Sequence, residues 1–225
     1  MMFSRKRGAA KHVRAADAPP TKALADSLAS DGEAAAPEFG PWDAKYAPAG
    51  VQRLDLGSLQ IPAIEGVEVR VQANPDGGVE QVVLVDGESA LQLGVFAAPR
   101  TEPIWPEIRE EIAGAMAADG VVAREVDGRY GVELLARVNT PDGPADVRFV
   151  GVDGPRWMVR ALYQGAAAAE PGREGVLGDV LSGLVVVRDN EPRPVREPLP
   201  LQLPKEMAEQ GQAAAQQAAD GGQPG

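Results

Sequence analysis

Ala145–Gly165, ADVRFVGVDGPRWMVRALYQG, is the stretch whose reading decides the fold. Val147, Phe149 and Val150 precede a break at Asp153-Gly154-Pro155, and Trp157, Met158, Val159, Leu162 and Tyr163 follow it. Asp-Gly between two apolar runs marks a tight hairpin, because glycine reaches positive φ without the steric penalty of a Cβ. The reading is two antiparallel strands, with Asp153-Gly154 as the turn itself and Pro155 closing it. The stretch is also the most aromatic-dense of a chain that is only 4% aromatic.

The same texture extends outward. Val67–Ala73 (VEVRVQA) sets Val67, Val69 and Val71 against Glu68, Arg70 and Gln72, the two-residue period of a half-buried strand. Asn74–Gly78 turns by composition, Val79–Val85 is the next strand, Asp86-Gly87 the next turn and Ala90–Ala97 the strand after it, which makes an antiparallel meander. Val51–Leu59 reads as an earlier strand, broken by Pro62 and Gly66. Val121–Val126 and Val132–Val138 flank Asp127–Gly131, and Thr140–Gly143 turns the chain into the opening hairpin. The Asp-Gly pairs at 76–77, 86–87, 127–128, 142–143 and 153–154 each lie between strand-like runs. Turn chemistry accounts for them, without the alternating acids and closing Glu of a calcium loop.

Two segments change period. Ile104, Ile108, Ile112, Ala115 and Met116 recur at three- or four-residue steps, which predicts a helix at 105–119. Pro106 suits its first turn, Glu107, Glu110 and Glu111 lie near the positive end of its dipole, and Gly120 follows as a C-cap. Trp105 is expected to pack beneath its entry. Val176, Leu177, Val180, Leu181 and Leu184 predict a second helix at 173–183, weakened by Gly175 and Gly178, and Leu184–Val187 reads as a last short strand.

The 225 residues are 44% hydrophobic, enough for a core built mostly of Val, Leu, Ile and Ala. The net charge of −11 is concentrated in residues 51–191, which carry 12 basic and 23 acidic side chains. An acidic folded part argues against general nucleic-acid binding, since phosphate contacts need Lys and Arg. No apolar run is long enough to cross a bilayer as a helix, and MMFSRKRGAAKHVRAA has no apolar stretch behind its charges, so a cytoplasmic location is expected.

Residues 1–40 read as a disordered Ala-rich tail with a basic cluster at Arg5, Lys6, Arg7, Lys11 and Arg14. A solvated tail is favoured over contact with anionic lipid or nucleic acid. Residues 41–50, with Trp42 and Tyr46, read as a linker docking on the domain edge. Residues 51–191 are expected to form a single α+β domain. Residues 192–204 (PRPVREPLPLQLP) form a Pro-rich extended segment. Leu199, Leu201 and Leu203 alternate along it, so docking on the domain surface is favoured over presentation to a partner. Residues 205–225 read as a second disordered tail.

Much familiar chemistry is missing. Residues 51–191 hold no His, Cys or Lys; the chain has no cysteine at all, and its one histidine is His12. Ser-His-Asp and Cys-His triads, lysine Schiff bases and imidazole or thiolate metal sites are therefore excluded from this part. No catalytic residue, metal site or cofactor is assigned, and the acid pairs Asp142/Asp146 and Glu110/Glu111 read as solvated surface. The expected role is a non-enzymatic protein-binding or assembly module. The alternatives are an enzyme or small-ligand binder using carboxylates and Arg, and membrane or nucleic-acid association through the basic tail. Arg148, Arg156, Trp157 and Arg160 are the candidate binding residues, because Arg and Trp are enriched in binding hot spots. Arg148 and Arg160 are expected to face each other across the hairpin. The competing reading puts Trp157 in the core and pairs the arginines with the domain's own acids.

The strings VQRLDLGSLQIP (51–62), LQLGVFAAPRTEPIW (91–105), DVRFVGVDGPRWMVRALYQG (146–165) and REPLPLQLP (196–204) resemble an actinobacterial family of uncharacterised proteins, the domain of unknown function numbered 3710. That resemblance spans residues 40–204 and implies no activity, cofactor or site residue. The order of elements is similar to the Mog1/PsbP-like α/β/α sandwich, whose relatives mostly bind proteins or assemble complexes. The expectation is an α+β fold, with a mostly antiparallel sheet of seven to nine strands and two helices packed on it.

Overall fold

The computed structural model describes residues 37–73, 78–141 and 143–204. The expected tails up to residue 36 and from 205 onward, including the basic cluster, lie outside the described residues, as do Asn74–Gly77 of one expected turn and Asp142 of another. In chain order the strands begin with β1 (Trp42–Asp43), β2 (Arg53–Asp55), β3 (Leu59–Pro62), β4 (Glu68–Ala73), β5 (Val79–Asp86) and β6 (Ser89–Ala97). Helix α1 (Trp105–Ala118) follows, then β7 (Ala123–Gly128), β8 (Gly131–Thr140), β9 (Gly143–Gly154) and β10 (Trp157–Gln164). Helix α2 (Val176–Gly183) and β11 (Val185–Val186) come last, and short 3-10 helices lie at Ala44–Tyr46 and Gly165–Ala168.

Seven strands form one antiparallel sheet in the order β4-β5-β6-β10-β9-β8-β7, which places the β9–β10 hairpin at its centre. A second sheet, β1-β11-β3-β2, was not foreseen: the expected strand at 51–59 is a small hairpin of β2 with β3, and β11 joins it from the far end of the chain. Alternation sorts the side chains of the large sheet between two layers. Trp157, Val159, Ala161 and Tyr163 enter the core with Val82, Leu84, Leu91, Leu93 and Val95. There they meet Leu177, Val180 and Leu181 of α2 and Leu59 and Ile61 of β3. Each such fully buried large side chain contributes roughly 1.5–3 kcal/mol. Met158 and Arg160 point to the opposite face, where α1 lies. The two helices therefore cover opposite faces of the sheet.

The hairpin turn lies two residues later than its composition suggests. Gly154 pairs with Trp157, so the turn residues are Pro155 and Arg156, and Arg156 has φ 68°. Proline first and a positive φ second is the pattern of a type II turn. Asp153 is thereby freed for another task. From within β9 its carboxylate accepts hydrogen bonds from the N–H groups of Ile104 (2.9 Å) and Trp105 (3.2 Å), at the start of α1. Ile104 sits at the N-cap position and has no polar side chain of its own, so a residue 49 positions away does the capping. Trp105 lies flat against Gly151, where a Cβ would overlap its ring, and its indole N–H donates to the Val132 carbonyl at 2.7 Å. At the other end Gly120 (φ 76°) closes a Schellman motif, with Val121 N–H on the Met116 carbonyl at 2.8 Å.

Both flanking segments bond to these layers. Gly40 N–H donates to the Ser182 carbonyl and Trp42 N–H to that of Leu184. Beyond the Val82–Leu93 pair β5 parts from β6, and the Pro-rich segment takes the edge of β6 left open there. Arg196 and Leu199 donate to the Ala97 and Val95 carbonyls at 2.8 and 2.9 Å, and Leu199 and Leu201 are buried.

Candidate functional site

The register separates the four residues singled out in the sequence. Arg148 pairs with Tyr163 and Arg160 with Gly151, three residues apart along β10, so the two arginines lie on opposite faces of the sheet and do not face each other. Trp157 is buried in the core, and its indole N–H donates to the Asp43 carboxylate at 3.2 Å. Arg156 serves the turn, where its carbonyl accepts from Ala98 N–H at 3.0 Å. Arg160 alone opens into a surface groove.

That groove follows from a row of the sheet. Across the strands Arg160 is flanked by Gly94 on β6 and Gly151 on β9, so it stands between two positions without side chains. Trp105 fills the space over Gly151, and α1 is anchored there. Further along the helix Ile108 and Ile112 are only half-buried, and Trp105 is the single buried residue of α1. The space left between helix and sheet is about 320 Å³, lined by Phe96, Ile108, Ile112, Ala115 and Met158, with Arg160 among them.

Arg160 is half-buried and stacks over the Phe96 ring, 5.1 Å from its centroid. Burial lowers its pKa, and among the described residues no carboxylate lies within ion-pair distance of it. Arg196, at the rim, is held differently. Its guanidinium meets Glu107 at 2.6 Å and Glu111 at 2.7 Å, and these bonds raise its pKa. Its backbone has φ 71°, a left-handed conformation that costs a residue with a Cβ about 1–2 kcal/mol.

Arg148 sits in a second, closed constellation on the core face. Its side chain is fully buried and bonds to Glu133, to Glu174 (2.5 Å) and to the Ala167 carbonyl (2.9 Å), with the Tyr163 ring beside it. Gly128 makes room for this arrangement, since a Cβ there would overlap the Glu133 carboxylate. Burial raises the pKa of Glu133 against the pull of Arg148. Burial also acts on Glu174, but N–H donors at Glu174 and Gly172 together with Arg148 outweigh it and hold its carboxyl below the usual range. Burial pushes the Tyr130 phenol up to about 12 and that of Tyr163 higher still. Among the described residues the Tyr130 hydroxyl and Arg148 Nε have no hydrogen-bond partner, and the adjoining void is only about 40 Å³. This space has room for a water and is too small for a substrate, and the ion pairs of the cluster tie β8, β9 and the approach to α2 together. Sequence reasoning placed Arg148 and Arg160 in one site; the parity of β10 in its pairing would have separated them.

The family model described as protein of unknown function (DUF3710) matches residues 40–210. The chain belongs to this family. Both the groove and the buried cluster lie within the DUF3710 match. No curated protein matches the sequence. Among solved structures it is similar to the solution structure of cyanobacterial PsbP (CyanoP) from Synechocystis sp. PCC 6803, at 13% identity and a TM-score of 0.34, over 62% of this chain and 94% of that one. Among the described residues no helix is long and apolar enough to cross a membrane.

Proposed function

We propose that this DUF3710 chain is a non-enzymatic binding module, and that the groove between α1 and the seven-stranded sheet is its docking face for another protein. The observation that supports this reading is Arg160: a half-buried guanidinium without an acidic partner among the described residues, in an apolar groove of a chain with 33 acids. The other arginine that lines the groove, Arg196, is engaged by two of those acids. A buried cation left without a counter-charge costs free energy that a partner's anion returns on binding. A cytoplasmic location belongs to the same reading.

A photo-crosslinking amino acid placed at Ala115, on the lip of the groove, tests it in cells expressing the full chain. The expected result is a discrete protein adduct that Arg160→Glu abolishes and that the same probe at Val122, 87% exposed and outside the groove, does not give. Equal adducts from both positions, or none from Ala115, would overturn the reading.

A further inference from the structure

The chemistry of the groove narrows what a partner must present, on the reading of the groove as a docking face. Its walls are aliphatic and aromatic, from Ile108, Ile112, Met158 and Phe96. Among the described residues its free charge is a single guanidinium at Arg160, because both arms of Arg196 are occupied by Glu107 and Glu111. The rim is acidic beyond that: Glu111 lines the groove and Glu107 shares Arg196 with it, both exposed on the first turns of α1. A wholly apolar segment would seal Arg160 from water with no counter-charge, and a cationic one would meet it as a like charge. A dianionic phosphate would bring two negative charges to one cation, past a rim whose two acids outnumber Arg196. A carboxylate matches the one free charge, and planar guanidinium and carboxylate can form two parallel hydrogen bonds. The space of about 320 Å³ is open along one side and suits one or two side chains of a larger molecule.

We propose that the groove takes a protein segment that sets one Asp or Glu carboxylate on Arg160 and an adjacent Leu-, Ile- or Met-type side chain between Ile108, Ile112 and Met158. Arg196 then acts at the rim by neutralising Glu107 and Glu111, which would otherwise repel the incoming acid.

The full chain, labelled, is applied to an array of random amphipathic peptides, and the strongest binder is resynthesised with Gln in place of each acid. Binding is read by fluorescence anisotropy against wild type, Arg160→Gln and Arg196→Gln. Enriched peptides should share an acid within one helical turn of an aliphatic residue. Acid→Gln should weaken binding about tenfold or more to wild type, and should have almost no further effect on Arg160→Gln. Arg196→Gln should weaken binding and keep the acid preference. The Arg160 side chain stacks on Phe96 but makes no hydrogen bond or ion pair with another described residue, so Arg160→Gln should keep a cooperative urea transition with a midpoint near or above that of wild type, which rules out unfolding.

Enrichment without an acid, or an acid preference that persists undiminished in Arg160→Gln, overturns the proposal. So does octanoate competing at concentrations where the peptide itself binds, since the ligand would then be a small carboxylate. Adducts at Ala115 combined with no acid preference defeat this inference alone and leave the docking face standing.

Discussion

Replacing Arg148 by methionine removes the charge that joins Glu133 and Glu174 while keeping much of the side-chain volume. Arg148 is fully buried, and Glu133 retains only 3% of its side-chain exposure. Breaking a buried pair by removing one partner costs about 3–5 kcal/mol, because the remaining charge is stranded in a poorly solvating interior. In a chain of this size each kcal/mol shifts the melting temperature by about 2–4 °C, so a fall on the order of 10 °C is expected. The loss should depend on pH. Glu133 has a raised folded-state pKa, and without Arg148 burial acts on it unopposed. A carboxyl whose folded pKa lies above its unfolded value favours the fold at low pH, and that contribution is lost as pH rises through the folded pKa. The variant should therefore lie closer to wild type near pH 5 than at pH 8. Glu174, whose pKa is lowered, works the other way in the wild type, stabilising above its unfolded pKa and fading as pH falls through the folded one. Urea unfolding followed by circular dichroism at both pH values measures the effect. A companion variant carrying both Arg148→Met and Glu133→Leu should recover most of the stability, since an apolar replacement of a buried pair is often neutral or better. A loss under about 1 kcal/mol at pH 8, or one that grows on acidification, would refute the account of a desolvated, charge-paired cluster.

Three further changes probe the frame around the groove. Gly151→Ala forces a methyl into the Trp105 ring, and should cost roughly 1–3 kcal/mol and alter tryptophan fluorescence. Asp153→Ala removes the acceptor for two N–H groups at the start of α1; a loss of about 0.5–2 kcal/mol is expected, with faster hydrogen exchange at Ile104 and Trp105. Arg156→Gly relieves a left-handed φ at a turn position, partly offset by the greater freedom of glycine in the unfolded chain, so urea unfolding should show no loss and a gain of up to about 1 kcal/mol.

What could be read from the sequence was set by local physics. The alternation in Val67–Ala73 and the three- and four-residue steps from Ile104 to Met116 are each decided by which side of one element an apolar residue occupies. They gave strands and helices close to those observed. The Asp153-Gly154 turn failed for a non-local reason. Asp153 is needed at the entry of α1, 49 positions earlier in the chain, and Pro155 and Arg156 make the turn instead, although arginine carries no preference for positive φ. The second sheet was hidden in the same way: β11 lies within the short strand read at Leu184–Val187, but its partners are β3 and the two-residue β1, both far away in the chain.

The candidate site was legible as residue types and illegible as an arrangement. Arginines 148 and 160 look equivalent in the string DVRFVGVDGPRWMVRALYQG, both flanked by valine and set in apolar runs. Their fates diverge through cross-strand neighbours: Arg148 lies opposite Tyr163 and reaches Glu133 and Glu174, whereas Arg160 lies in a row with Gly94 and Gly151. The two glycines bring no acid to Arg160 and leave space above it, and α1, held at its Trp105 end, leaves that space partly open. A guanidinium so placed can be matched only by a group that arrives from outside the described fold. For this reason, a binding role assigned to the hairpin as a whole rests on Arg160, the hairpin arginine that lines the groove and has no acid within ion-pair distance among the described residues.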